Sequence, residues 1–153
     1  MANSYTQIHL QLILAVRSRK GIINPSWEKE LYRYISGITE RNNHKLLAIN
    51  GVPDHLHILI GMRPNQSVSE LMQQIKANSS KWINQKGFVP GRFEWQSGYS
   101  AFSYDRTAIN NVIRYIENQK EHHGVTTFKD EYTRLLKEHN IDYDEKYIFK
   151  DLE

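Results

Sequence analysis

Val52-Pro53-Asp54-His55-Leu56-His57-Ile58-Leu59-Ile60-Gly61 is the stretch from which the rest of the chain can be read. Side chains of a strand alternate between two faces. Leu56, Ile58, Ile60 and Met62 therefore share one face, and His55, His57, Leu59 and Gly61 share the other. Residues two apart lie about 6–7 Å from each other at a strand's rise of roughly 3.3 Å per residue. Two imidazoles at that spacing read either as two polar groups on a solvent-facing side or as two donors converging on one metal ion. Pro53-Asp54 suits a tight turn, so Lys45 to Val52 and the histidine strand form an antiparallel hairpin.

The same alternation recurs at residues 6–16. Thr6, Ile8, Leu10, Leu12, Leu14 and Val16 fall on one face, with Gln7, His9, Gln11, Ile13 and Ala15 on the other. Arg17, Arg19 and Lys20 follow, and they read as a solvated loop or as phosphate contacts. Asn24-Pro25 predicts a helix start, with Asn24 as cap, and Trp27, Leu31, Ile35 and Ile38 recur at helical spacing to about residue 43. Ser67 and Glu70 form a capping box, and Val68, Leu71, Met72, Ile75 and Trp82 continue a helix that Gly87 ends. Lys76 and Lys81 lie on or near its polar side. Residues 88–98 are irregular and aromatic, with Arg92 among them, and Tyr99 to Tyr104 predicts a last strand. Asp105 caps a helix over 106–122, whose stripe is Ile109, Val112, Ile113 and Ile116. Tyr115 and Gln119 lie beside that stripe at i, i+4. Phe128, Tyr132, Leu135 and Leu136 mark a further short amphipathic helix.

The order β-α-β-β-α-β predicts an α+β, ferredoxin-like antiparallel sheet with helices on one face. His55, His57, Gln11 and His9 are then expected on the open face. At 153 residues the chain is expected to form one domain, with a core over about 5–123 and a helical tail over about 124–153. No run of 18 apolar residues and no basic-then-apolar leader is present, so neither a membrane span nor a secretory signal is expected. The absence of cysteine excludes disulfides, thiolate nucleophiles and cysteine-bound zinc, and suits a reducing cytoplasm. A net charge of +3 permits a polyanionic partner without requiring one.

Pro53-Asp54-His55-Leu56-His57 resembles the HUH motif of the single-tyrosine transposases of bacterial insertion sequences, the insertion sequence 200-like group. Tyr115-Ile116-Glu117-Asn118-Gln119 resembles their catalytic helix, and Trp95-Gln96-Ser97-Gly98-Tyr99 with Phe102 resembles the stretch ahead of it. Ser67-Val68-Ser69-Glu70-Leu71-Met72, leading to Lys76 and Ser79-Ser80, resembles the helix after the HUH strand. The likeness runs from about Tyr5 to His123. It implies that Tyr115 attacks a phosphodiester of single-stranded DNA, giving a 5′-phosphotyrosine and a free 3′-hydroxyl. It implies further that His55, His57 and Gln119 hold Mg²⁺ or Mn²⁺, and that the substrate carries hairpins near the element ends. By the same resemblance the protein is a homodimer in which Tyr115 acts on the partner's histidines, with no nucleotide cofactor. Arg17, Arg19, Lys20, Lys76, Lys81 and Arg92 are the candidate DNA contacts. Histidine-triad and His-x-His-x-Asp hydrolases both need a group at position 59 that Leu59 does not supply. A replication initiator or relaxase would share the chemistry, and a passive hairpin-binding module would share the sheet.

Overall fold

The computed structural model describes residues 4–122 and 127–143, without the side chains of Arg19 and His122. Strand β1 is His9–Ala15, helix α1 Glu28–Arg41, β2 Lys45–Val52, β3 His55–Gly61, α2 Val68–Lys86 and β4 Ser100–Tyr104. Helices α3 (Ile109–Glu117), α4 (Gln119–His122) and α5 (Phe128–Glu138) follow. The strands lie in the order β2-β3-β1-β4, each antiparallel to its neighbours, which is the ferredoxin-like arrangement. Among the described residues no helix is long and apolar enough to cross a membrane.

The alternation read in the sequence holds. Leu12, Leu14, Leu56, Ile58 and Ile60 are buried beneath α1 and α2, where they meet Leu31, Ile35 and Ile75. Val52 pairs with His55, so Pro53-Asp54 is a two-residue turn. A side chain at Gly51 would place its Cβ 2.3 Å from the His55 carbonyl oxygen, so the hairpin closes only around a glycine. The Ser67 hydroxyl accepts from the Glu70 amide at 3.1 Å, and Gly87 ends α2 at φ 66°.

Three expectations are corrected. Helix α1 starts at Glu28 rather than at Pro25, because the Asn24 side chain accepts from the Ser26 amide at 2.9 Å and forms a turn first. The predicted helix over 106–122 is interrupted. A 3₁₀ turn spans Arg106–Ala108, and Asn118 separates α3 from α4. Asn50 of β2 donates to the Glu117 carbonyl at 3.0 Å, and Lys120 reaches Gly51 O at 3.0 Å and Glu28 at 3.1 Å. These bonds pin the break to the sheet.

The third correction concerns the face expected to be open, which is covered. Ile13, Leu59 and Phe102 share it with the histidines, and exposing them would leave apolar area in water. Val112 and Ile116 of α3 pack on Leu59, while Phe128, Leu135 and Leu136 of α5 pack with Ile13 and Phe102. The sheet is therefore sandwiched, and both histidines are fully buried.

Candidate active site

Strand β3 holds His55 and His57 side by side, with ring centroids 5.1 Å apart. The Asp54 carboxylate lies 2.7 Å from His55 Nδ1, and the Gln11 amide oxygen lies 2.6 Å from His57 Nδ1. Both are acceptors, since Gln11 uses its amide nitrogen on the Tyr104 hydroxyl at 2.8 Å. Each Nδ1 thus carries a hydrogen, and each Nε2 is turned inward. Both Nε2 atoms meet the same oxygen, Oε1 of Glu131 on α5, at 3.3 Å and 3.1 Å.

Helix α3 sets Tyr115 against this cluster, its ring 5.8 Å from the His57 ring and nearly perpendicular to it. The Tyr115 hydroxyl donates to Glu131 Oε2 and accepts from Arg134 Nη2 at 3.1 Å. Gln119, one turn on, donates to Glu131 Oε2 at 3.3 Å. Glu131 therefore joins both histidines through one oxygen, and Tyr115 and Gln119 through the other. Burial pushes the Tyr115 phenol well above its ordinary range, and the adjacent Glu131 carboxylate adds to that shift. Burial works against protonation of His55, but hydrogen bonds to Asp54 and Glu131 outweigh it and the pKa rises.

A divalent metal fits these residues. Donor atoms of His55, His57 and Glu131 lie within 4.8 Å of one another. Two inward Nε2 atoms, which bind a metal once they give up any proton, and a buried carboxylate form a donor set suited to a divalent cation. The Gln119 carbonyl oxygen is buried with no hydrogen-bond partner among the described residues, and it can serve as a further neutral donor. Asp54 and Gln11 fix both rings from behind, an arrangement typical of metal-bound histidine.

The structure thus brings His55, His57, Tyr115 and Gln119 together, within one chain. Glu131, rather than Gln119, touches both imidazoles. Sequence reasoning missed Glu131, although a signal existed. It sits on the apolar stripe of α5 between Phe128 and Leu135, where a carboxylate needs a buried partner. The candidate DNA contacts lie elsewhere. Arg17, Lys76 and Arg92 line one cavity of about 490 Å³, and Arg17, Lys20 and Arg92 line a second of about 250 Å³. Glu94 holds Arg17 at 2.6 Å and Arg92 at 3.3 Å. The Lys76 ammonium donates to the carbonyls of Gln96 and Gly98 at 2.8 and 2.7 Å, so it anchors the aromatic loop. Lys81 is exposed beside Asn84 and Gln85, and the Arg19 side chain lies outside the described residues.

Paired histidines on the central strand of a ferredoxin-like sheet, under a helix bearing a tyrosine, define an HUH-type arrangement. The family model for IS200-like transposases matches residues 4–119, and the chain belongs to that family. It is similar to the ISDra2 transposase TnpA of Deinococcus radiodurans, at 21% identity over 75% of this chain and 86% of the relative. A REP-associated tyrosine transposase solved bound to a REP hairpin shares the fold at TM-score 0.61, 15% identity, 94% of this chain and 91% of that one. So does a crystal structure from Deinococcus radiodurans R1, at TM-score 0.60, 21% identity, 78% of this chain and 95% of that one.

Proposed function

We propose that this protein cleaves and rejoins single-stranded DNA through a 5′-phosphotyrosine at Tyr115. The observation that carries the reading is the Tyr115 hydroxyl bound to a carboxylate that also meets His55 and His57 in one buried cluster. Tyr115 Oη forms the bond to phosphorus, the bond to the 3′ oxygen breaks, and Glu131 Oε2 takes the phenolic proton. His55 Nε2, His57 Nε2, the Gln119 carbonyl and Glu131 would hold Mg²⁺ or Mn²⁺. When bound, that ion polarises the scissile phosphate as a Lewis acid. Asp54 and Gln11 keep both imidazoles in the tautomer that points Nε2 inward. The phosphotyrosine keeps the phosphodiester bond in ester form, so a 3′-hydroxyl can reverse the step and rejoin the strand, with the proton held on Glu131 returned to the leaving Tyr115 oxygen.

The substrate on this reading is single-stranded DNA bearing hairpins, by analogy with the hairpin-bound structural neighbour, and the protein works in the cytoplasm. Arg17, Lys20 and Arg92 contact the backbone around their two cavities. Helix α5 is part of a single catalytic unit rather than an appended tail. Tyr115 acts on the histidines of its own chain, because α3 lies on its own β2 and β3. A homodimer, as the resemblance implies, is compatible with this and is not needed to complete the site.

The test incubates the protein with hairpin-bearing single strands and Mn²⁺ and resolves the products on a denaturing gel. A covalent protein–DNA band and a fragment ending in a 3′-hydroxyl are expected, and both vanish in Tyr115→Phe and His57→Ala. Tight hairpin binding with no cleavage on any strand would instead identify a passive binding module.

A further inference from the structure

Helix α5 brings a second charged residue to the tyrosine. Arg134 follows Glu131 by one turn, and its Nη2 reaches the Tyr115 oxygen. Its guanidinium carbon lies 5.5 Å from the centre of the Tyr115 ring. Nη1 is held by Glu138 at 2.9 Å, and the side chain is 45% exposed. The cation therefore faces both the tyrosine and the outside. Between α3 and α5 lies a cavity of about 270 Å³ whose wall includes Tyr115, Arg134, Asn111, Gln11 and Tyr104. A nucleophile, a guanidinium, two amides and an aromatic ring thus border one small space, together with the Glu138 carboxylate that pairs with Nη1 and leaves Nη2 toward Tyr115. A guanidinium matches phosphate oxygens in a two-pronged geometry, and an aromatic ring offers a stacking surface to an unpaired base. Arg134 lies outside the residues that match the family.

We propose that this cavity receives the nucleotide beside the cleaved bond, and that Arg134 is a catalytic residue that binds a non-bridging oxygen of the scissile phosphate. The inference rests on Tyr115 being the nucleophile. As Tyr115 Oη bonds to phosphorus and the bond to the 3′ oxygen breaks, the phenolic proton goes to Glu131 and the 3′ oxygen takes one from water. Arg134 keeps all its protons throughout. It supplies fixed positive charge where the phosphate oxygens crowd at the five-coordinate transition state, and it meets Tyr115 Oη at the point of attack. Arg134 is partly exposed and makes no contact with the buried imidazoles, so replacing it leaves the histidine cluster intact.

The experiment measures single-turnover adduct formation by the full chain on a hairpin-bearing strand with Mn²⁺, and hairpin binding by fluorescence anisotropy. Arg134→Gln and Arg134→Ala are expected to slow the adduct about 100-fold or more, the usual loss for one preorganised donor, while hairpin binding stays unchanged. Added guanidinium restores part of the rate to Arg134→Ala and none to Tyr115→Phe. A methylphosphonate at the linkage that the wild type cleaves removes one charged oxygen. It should slow the wild type much more than Arg134→Gln. Equal methylphosphonate penalties in the two proteins, or wild-type rates in both Arg134 variants, would overturn the proposal. An adduct that persists in Tyr115→Phe overturns the nucleophile assignment instead. An inactive Tyr115→Phe beside a fully active Arg134→Gln overturns only the role of Arg134.

Discussion

Glu131 is the residue on which the site turns. One of its oxygens meets His55 and His57 and the other meets Tyr115 and Gln119, all side chains of the proposed chemistry. Glu131→Gln keeps the shape but removes the charge that balances any cation between the histidines. Mn²⁺ binding, followed by calorimetry or by the loss of free-ion electron paramagnetic resonance signal, should weaken by at least about tenfold. Unchanged affinity would show that the carboxylate serves Tyr115 alone. Asp54→Asn and Gln11→Ala act one step further out. Each frees a histidine ring to turn or to change tautomer, so each should cost about 10- to 100-fold in Mn²⁺ affinity while leaving hairpin binding intact. His55 and His57 were legible in the sequence because a strand of period two separates them unambiguously from Leu56 and Ile58. Glu131 was not, because its contact with His57 spans 74 residues and depends on how α5 docks.

Among the elements, the β2–β3 hairpin and α5 do most to place the site. Gly51→Ala drives a methyl group against the His55 carbonyl, and the strand must shift to accept it. A loss of about 1–3 kcal/mol in urea unfolding is expected, with weaker Mn²⁺ binding from the displaced histidines. Wild-type stability there would mean that the turn rearranges without cost. Phe128 stacks on His55 with ring centroids 4.1 Å apart and seats α5 on the sheet. Phe128→Ala should cost about 3 kcal/mol or more and should loosen Glu131, so adduct formation falls with stability. The strands, α1 and α2 were readable from alternation, helical spacing, the Ser67 cap and Gly87. The break at Asn118 was not, because Ile109 to Ile116 set a helical period that nothing local interrupts. Asn50 and Lys120, which fix it, act across the sheet.

For the molecule as a whole, the sheet is a partition between an apolar face and a face that carries the candidate site. Apolar side chains fill the space beneath α1 and α2. The opposite face mixes Ile13, Leu59 and Phe102 with Gln11, His55 and His57, and helices α3 and α5 close over it. The sequence pattern showed that mixture, but not that helices from the same chain would cover it, because docking is decided by tertiary packing. A single chain therefore supplies tyrosine, histidines, glutamate and arginine. Mixing inactive Tyr115→Phe with inactive His57→Ala should accordingly restore no cleavage, whereas a site shared between subunits would regain activity in the mixed dimer. The most direct measurement of the central claim is peptide mass spectrometry on the covalent complex formed with a hairpin-bearing single strand and Mn²⁺. A nucleotide mass joined through phosphate to Tyr115 is predicted. The same mass on any other of the nine tyrosines would contradict it, as would bound and cleaved DNA with no tyrosine modified.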